Sequence, residues 1–374
     1  PIYIDHRVSQ NKFSNQNENF YPKLDISIKE IERLNSILLI DSDITNEQPI
    51  LSHKIRKAFL NKAKINSIYT YNYKYNFDTN NSLLVNPNSL VETLIDIIEY
   101  LTVITVNDKT LQNFNLPNGI KKKFKGLTNK KIIDISNDLL ISNSLILLGS
   151  NLVNHQDFEL CKVLTNIIST LTKSKKGFLN GNCNEAGACI AGCLPNKSAG
   201  FLDVKNIGLN ASDSINEGME CYMIYNLDLI DFYHYSELKK SLSNAKFVLG
   251  FQSFVTEEDK NYYDVILPLA TVFESPGTFI NIEGQWQSFA QGCKPHFMSK
   301  EGWKILTKLR AEFGKNISDS LDYIDILNEA DSVIRDSKFF ENNEYSDFKE
   351  DSFSSAAPLI RCGGSSSYYI DNIV

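Results

Sequence analysis

The stretch of residues 264–289 constrains the fold of this chain more than any other part of it. Its apolar run 265–267 is typical of a short strand buried on both faces, and Pro268 ends that strand because proline cannot donate to a sheet. Beyond the turn residue Gly277, side chains alternate with the period of a strand, and Gly284 can close a hairpin. The stretch therefore predicts a buried parallel strand whose carboxyl end carries a loop and a hairpin. Open α/β sheets bind ligands at that edge.

A repeat elsewhere in the chain indicates more than one such unit. Residues 36–48 can be laid over residues 144–156 without a gap. Each copy reads as an apolar strand, a turn of serine with aspartate or asparagine, and the start of a helix. The repeat predicts two Rossmann-like units, each with a loop at the end of its strand. A chance likeness between two ordinary strand–helix turns is the alternative interpretation.

The remaining patterns complete the expected fold class. Apolar runs predict strands at 65–71, 221–225 and 247–252, and helical spacing predicts C-terminal helices at 303–313 and 321–333. The chain is thus expected to be α/β, with two Rossmann-like, doubly wound parallel-sheet units followed by a C-terminal helical segment.

Four regions are expected along the chain. They are an N-terminal lead-in at 1–30, a first Rossmann-like unit at 31–115, a second unit with the hairpin at 116–298, and C-terminal helices and a tail at 299–374. The chain begins with Pro1 and ends at Val374 without a stop signal, so we expect it to be part of a longer protein.

Charge and hydropathy argue against two classes of partner. The 374 residues carry a formal net charge of −7, so nucleic acid is not expected as a partner. No apolar run approaches the roughly 18 residues of a membrane-spanning helix, so no direct membrane span is expected.

Few residues stand out as candidates for chemistry. Cys183, Cys189 and Cys193 are close in sequence, but their spacing matches neither common ferredoxin pattern, and the last two are expected to pack on one helix face. Asp228 and Asp231 form either an acid–base pair or, more commonly, helix caps. The histidines lack metal-binding spacing. The sequence therefore predicts no catalytic residue and no metal-binding residue.

A family resemblance rests on the central stretch. The string Asp-Val-Ile-Leu-Pro from Asp264, followed by Glu-x-x-Gly-Thr-Phe-x-Asn-x-Glu-Gly from Glu274, resembles the molybdopterin oxidoreductase superfamily. Within it the chain looks most like the C-terminal portion of the large iron–sulfur subunit of respiratory complex I, the NADH-quinone oxidoreductase. A second family pattern matches residues 184–195. The resemblance singles out six motif residues, which we expect to be structural: Asp264, Pro268, Glu274, Gly277, Asn281 and Gly284.

The resemblance implies a setting for the whole protein. It implies a subunit of an NADH:quinone oxidoreductase, which couples electron transfer from NADH to quinone to proton translocation. Expected partners are other peripheral-arm subunits of complex I, including the NADH-binding subunits. The expected location is peripheral, on the cytoplasmic side of the bacterial inner membrane. No cofactor is expected in this region, whereas [2Fe-2S] and [4Fe-4S] clusters are expected in the part of the subunit that precedes it.

The segment Asp5-His6-Arg7 separates two versions of this resemblance. In the molybdenum-containing relatives, the matching stretch reaches a cysteine or selenocysteine that ligates the metal. That position falls at or next to Asn11, where the chain has no thiol, and neighbouring polar residues cannot replace a soft thiolate. This favours a cofactor-free structural module that supports an electron-transfer subunit. The alternative is part of a molybdenum or tungsten bis-pterin oxidoreductase such as a formate dehydrogenase.

Overall fold

The computed structural model describes residues 3–7, 21–105, 129–179, 181–314 and 322–335. The chain divides into two compact units, which we name by their largest sheets. The five-stranded unit comprises residues 22–181, and the three-stranded unit comprises residues 1–21 together with 182–374. The division expected from the sequence between residues 115 and 116 therefore falls inside the five-stranded unit.

The five-stranded unit is built on one parallel sheet. Its strands are β1 (Ser36–Ile40), β2 (Lys64–Tyr69), β3 (Asn81–Leu84), β4 (Ser144–Leu148) and β5 (Lys175–Phe178), in the order β3-β2-β1-β4-β5. This order runs outward from β1 in both directions, so the sheet has a topological switch point between β1 and β4.

The two copies of the sequence repeat meet at that switch point. Ser36 lies opposite Ser144 and Ile40 lies opposite Leu148, so β1 and β4 pair directly, with equivalent residues of the two copies side by side. The prediction that they belong to separate units is wrong. Both strands are buried along their whole length, as is typical of central strands in a parallel sheet whose faces are covered by helices.

Helices cover the five-stranded sheet. They are α1 (Ile44–Glu47), α2 (Pro49–Leu60), α3 (Leu90–Thr105), α4 (Lys130–Leu139) and α5 (Phe158–Thr172). α2 begins at Pro49, where the missing N–H costs nothing because the first helical amides have no partner. The second repeat copy differs here, since a 3₁₀ helix (Ser150–Asn154) follows β4 in place of α1.

The three-stranded unit contains a second parallel sheet. Its strands are β8 (Cys221–Tyr225), β9 (Phe247–Gln252) and β10 (Val265–Pro268), in the order β10-β9-β8. Two antiparallel hairpins accompany it, one of β6 (Lys197–Ser198) with β7 (Leu202–Asp203) and one of β11 (Gly277–Ile280) with β12 (Trp286–Phe289). The parallel strand and the hairpin predicted from the central stretch are confirmed. The predicted burial of the strand on both faces is wrong, because β10 is an edge strand, exposed at Val265 and Pro268 and half-buried between them.

The three-stranded unit has five α-helices in the described part of the chain, and the two at the C-terminal end agree with the helices predicted from the sequence. The five are α6 (Glu185–Ile190), α7 (Ala211–Glu217), α8 (Tyr235–Asn244), α9 (Gly302–Glu312) and α10 (Tyr323–Arg335). α9 and α10 match the two predicted helices within two residues at each end. No helix in the described part of the chain is both long enough and apolar enough to cross a membrane.

The prediction that Cys189 and Cys193 pack in the interior is confirmed, but the prediction that they share one helix face is wrong. Cys189 and Cys193 are both buried. However, α6 ends at Ile190, and Gly192 adopts a positive φ of 81° that turns the chain. Cys193 therefore lies beyond the helix, with its N–H bonded to the Ala188 carbonyl.

Taken by class, the fold is a mixed α/β one with parallel sheets, as expected. Residues 1–2 and 8–20 of the predicted lead-in at 1–30, and the whole of the predicted tail beyond residue 335, lie outside the described residues.

Candidate functional site

The strand of the central motif is anchored to its neighbour by a side chain. The Asp264 carboxylate, just before β10, accepts a hydrogen bond from the Val248 N–H of β9 at 2.7 Å. At the other end of β10, Pro268 lies opposite Gln252, the last residue of β9. These two motif residues therefore set the ends of one parallel pair.

Glu274 holds the loop that follows β10. One carboxylate oxygen accepts from the Thr271 N–H at 2.9 Å, which completes a capping box around a short 3₁₀ turn. The other oxygen accepts from the His296 N–H at 3.1 Å. A single carboxylate thus joins two segments of loop by charge-assisted hydrogen bonds.

The last three motif residues shape the β11–β12 hairpin. The Asn281 side-chain oxygen accepts from the N–H groups of Glu283 and Gln285, at 3.0 and 2.9 Å, and Gly284 has a positive φ of 77°. At the base of the hairpin, a Cβ on Gly277 would lie 2.4 Å from the Phe289 ring. All six motif residues therefore have partners or packing constraints within the three-stranded unit.

A cavity lies at the carboxyl edge of the three-stranded sheet. Its volume is about 160 Å³, and its walls come from the ends of β8 and β9 and the loops after them: Leu227, Asp228, Gln252, Phe254, Val255, Thr256, Asp259 and Tyr263. The sequence had singled out Asp228 among these residues but missed the others. The signal for them was their position, since several follow parallel strands at the edge where such sheets bind ligands.

The acids of the loop after β8 differ in role. Asp228 caps a 3₁₀ turn, with its side-chain oxygen 3.4 Å from the Ile230 N–H, as the cap interpretation predicts. Asp231 has a buried oxygen without a hydrogen-bond partner among the described residues. Burial and the charge of Asp228 raise the pKa of the Asp231 carboxyl.

The switch point of the five-stranded sheet is also acidic. Asp41, directly after β1, adopts a positive φ of 45°, and one of its carboxylate oxygens accepts from the Thr70 N–H, the Thr70 hydroxyl and the Tyr73 hydroxyl, at 2.9, 2.7 and 3.2 Å. Burial raises the pKa of Glu47, in the helix that follows, and that of Tyr73. The loop after β1 is therefore tied to the loop after β2 by an internally satisfied carboxylate.

The loops after β1 and β4 are in contact at this point. A Cβ on Gly149 would lie 2.1 Å from the Asp41 carbonyl oxygen and 2.4 Å from the Ser42 Cα. Ser42 is itself fully buried, and its hydroxyl has no partner among the described residues. The two loops therefore begin in direct backbone contact, which continues the pairing of β1 with β4 by the bond from the Gly149 N–H to the Ile40 carbonyl oxygen.

The N-terminal motif is held inside the three-stranded unit. Arg7 pairs with Asp5 at 2.9 Å, and the other Asp5 oxygen accepts from the Ala211 N–H at 3.1 Å. His6 lies with its Nδ1 at 2.8 Å from the Cys193 carbonyl oxygen, and burial lowers its pKa. The Asn11 position, on which the thiol argument depends, lies outside the described residues.

The side chains that commonly ligate metals are dispersed. Over the described ranges, histidine, cysteine, aspartate and glutamate side chains nowhere form a group of three that could hold a metal ion.

Comparisons with known proteins identify relatives of this chain. Over 353 residues the chain is 26% identical to the F420-dependent formate dehydrogenase subunit alpha of Methanocaldococcus jannaschii, covering 82% of this chain and 52% of that protein. It is 24% identical to the NADH-quinone oxidoreductase G subunit of Buchnera aphidicola subsp. Schizaphis graminum, covering 81% of this chain and 34% of that protein. It is also 24% identical to the NADH-ubiquinone oxidoreductase 75 kDa subunit of Reclinomonas americana, covering 78% and 35%.

The chain therefore spans between about a third and about half of the length of these relatives. Among solved structures, acetylene hydratase from Pelobacter acetylenicus is similar with a TM-score of 0.49 and 13% identity, covering 83% of this chain and 49% of that one. The family model for molybdopterin oxidoreductases matches residues 3–312. The chain belongs to the molybdopterin oxidoreductase family.

Proposed function

We propose that this chain is the structural, cofactor-free region of the large iron–sulfur subunit of a respiratory NADH:quinone oxidoreductase. The similarity to two such subunits, over about four fifths of the chain, supports this setting. In this proposal, iron–sulfur clusters in the preceding part of the subunit carry electrons from NADH toward quinone. The present region carries no electron and holds neighbouring subunits of the peripheral arm in place.

The observation that carries the proposal is the chemistry of the switch point between β1 and β4. A pterin cofactor of this family bears phosphate, and open α/β sheets bind phosphate with the backbone N–H groups of a glycine-rich loop. Here the loop after β1 reads Asp41-Ser42-Asp43, and Gly149 of the next loop packs against its backbone. A third carboxyl group, that of Glu47, follows within one turn of helix. This edge therefore does not fit a phosphate-bearing cofactor, because the loop after β1 has no glycine-rich cradle and its acids repel an anion.

The motif residues support the same assignment. Asp264, Glu274 and Asn281 direct their oxygens at backbone N–H groups of the same unit. Such contacts hold a loop and a hairpin in the protein without any bound group.

A second candidate function has its own support. The formate dehydrogenase subunit of Methanocaldococcus jannaschii matches the chain at slightly higher identity and with greater coverage of the relative. We therefore keep part of a molybdenum or tungsten bis-pterin oxidoreductase as the alternative. Under this alternative, the family's cofactor would need a site other than the switch point between β1 and β4.

One experiment separates the two candidates. In the native host, residues 1–374 are deleted from the subunit while any preceding cluster-binding part is kept. The scaffold proposal expects loss of the assembled complex on native gels, with the electron paramagnetic resonance signals of the remaining clusters unchanged. Normal assembly accompanied by loss of formate oxidation, or of a molybdenum signal, would contradict the proposal and favour the alternative.

The proposal also places the protein in the cell. As part of that complex, the region would lie peripherally on the cytoplasmic side of the bacterial inner membrane, next to the NADH-binding subunits. The exposed apolar side chains Leu306 and Phe313, in α9 and at its C-terminal end, are suited to contact a neighbouring subunit.

A further inference from the structure

We infer that the cavity at the carboxyl edge of the three-stranded sheet binds a guanidinium group. This inference concerns a site that the proposed scaffold role does not use, and it stands independently of that role. The cavity, of about 160 Å³, is well below the ~300–1,000 Å³ of ordinary small-molecule pockets, so its occupant is a single functional group or a very small compound.

The first observation is a buried carboxylate without a partner. Asp259 lines the cavity and is only 7% exposed. Its backbone N–H donates to the Thr256 hydroxyl at 3.0 Å, but within the described residues no donor or cation pairs with its carboxylate. A cation bound in the cavity would pair with this carboxylate by a charge-assisted hydrogen bond.

The second observation is the orientation of the Gln252 amide. Its Nε2 donates to the Leu227 carbonyl oxygen at 3.0 Å and to the Tyr263 hydroxyl at 2.8 Å. Because a backbone carbonyl can only accept, the amide nitrogen must face Leu227, and this fixes the amide. Both amide protons are then used, and Oε1 is the polar atom of Gln252 left for the cavity. It is an acceptor.

The wall is therefore rich in acceptors and negative in charge. Asp228, Asp259 and Gln252 line it, and no lysine, arginine or histidine of the described residues does. The Asp228 carboxylate already accepts from the Ile230 N–H, so the Asp259 carboxylate and the Gln252 oxygen are the acceptors that a ligand would use. The Tyr263 hydroxyl accepts from Gln252, so one donor, its own proton, remains. A ligand that satisfies this wall must carry positive charge and several donors.

Among positively charged ligands, the aromatic side chains of the cavity favour a planar cation. Phe254 lines the cavity and is 66% exposed, so it can lie over a group that enters from solvent. A guanidinium group offers five N–H donors in one plane and stacks on aromatic faces, whereas an ammonium offers three donors around a point charge. The guanidinium can belong to an arginine side chain of another protein or to a free compound, since both present the same group.

Calorimetric titration of the 374-residue chain tests the inference at constant ionic strength. The probes are N-ethylguanidinium, its neutral isostere N-ethylurea, and ethylammonium. We expect N-ethylguanidinium to bind at least tenfold more tightly than either of the others. Equal binding of N-ethylurea would overturn the inference, because it would show that charge plays no part. Equal binding of ethylammonium would overturn the assignment of a planar donor group.

Matched variants locate the binding. Asp259→Asn is expected to weaken N-ethylguanidinium binding at least tenfold, whereas Glu257→Gln, an exposed acid of the same loop outside the cavity, is expected to leave it unchanged. Asp259→Asn should melt no lower than the parent, since it removes a buried charge. If that variant does not fold, Phe254→Ala, at an exposed position, is expected to weaken binding about threefold to tenfold. Unchanged binding in a folded Asp259→Asn or Phe254→Ala protein would overturn the inference.

Two further probes address the source of the group. A capped Gly-Arg-Gly peptide and the same peptide with citrulline separate a protein-borne arginine from a free compound. If the arginine peptide binds more tightly than N-ethylguanidinium and the citrulline peptide does not bind, the source is an arginine of a partner protein. If N-ethylguanidinium binds and the arginine peptide does not, the source is a free compound. Guanosine 5′-monophosphate presents a neutral donor edge together with a phosphate. If it binds more tightly than N-ethylguanidinium, the site is a nucleotide site and the inference is wrong.

Discussion

The side-chain oxygen of Asn184 accepts a hydrogen bond from the backbone N–H of Ile280 at 2.9 Å. Asn184 is fully buried at the start of α6, and Ile280 is the last residue of β11. The Asn184 side chain does not cap its own helix, so its oxygen is available for the hairpin. A Cβ on Gly187 would lie 2.1 Å from that oxygen, which explains why a glycine follows one turn later. One buried amide thus joins the two segments that carry the family patterns.

Replacing Asn184 by alanine should destabilise the protein by about 1–3 kcal/mol, because it leaves the buried Ile280 N–H without an acceptor. Urea denaturation followed by circular dichroism measures this. Asn206→Ala is the matched control, since Asn206 is exposed in the same unit. If the two variants lose the same stability, the hydrogen bond does not hold the hairpin.

This contact also marks a limit of sequence reasoning. The β11–β12 hairpin follows from local signals, namely the alternation after Gly277 and the turn at Gly284. Both family patterns were recognised in the sequence, but no local rule states that Asn184 meets Ile280, because the contact spans 96 positions along the chain. Pairing between distant segments depends on tertiary packing.

The sheet of the five-stranded unit also has features that local sequence signals predict and features that they do not. The two strands of the repeat follow from the sequence, because their apolar runs and turns are local signals. The sequence did not predict that β1 and β4 are neighbours, because two similar strand–helix turns fit separate sheets equally well. The cavity was missed for a related reason: Gln252, Asp259 and Tyr263 have no motif spacing and become a set only when the loops after parallel strands converge.

The contact between the loops after β1 and β4 gives a second prediction. Gly149→Ala should destabilise the five-stranded unit by about 1–3 kcal/mol or more, because the new Cβ meets backbone atoms of Asp41 and Ser42 that cannot rotate away. Thermal denaturation checks this. Gly181→Ala is the control, since its Cβ would have no neighbour closer than 3.9 Å. Unchanged stability in Gly149→Ala would show that the two loops can move apart without cost.

The N-terminal motif predicts a pH dependence. Burial lowers the pKa of His6 below its ordinary 6.5, with the charge of Asp5 acting in the opposite direction. Between the folded-state pKa and 6.5 the unfolded chain binds more protons than the native protein, so stability must fall as the pH falls through this window. Below the folded-state pKa, both states are protonated and this contribution stays constant.

Urea denaturation of the parent and of His6→Gln, from pH 8 to pH 5, measures the contribution. The variant should lose less stability over that window than the parent, while His53→Gln, at an exposed position, should follow the parent curve. A parent and a His6→Gln variant with parallel pH profiles would show that His6 is not held in its neutral form by the fold.

The final prediction addresses whether the motif after β10 serves the fold or a bound group. Glu274→Ala removes the acceptor for two N–H groups, those of Thr271 and His296, and with them the capping box. The free protein should therefore lose about 0.5–2 kcal/mol, the usual cost of losing a cap. Glu312→Ala, at an exposed position at the end of α9, is the control and should change little. A residue retained only to bind a ligand would show the opposite pattern, because its removal from the ligand-free protein relieves strain or charge and leaves stability equal or higher. Stability of Glu274→Ala at or above that of the parent would therefore favour a binding role for the motif over the structural one.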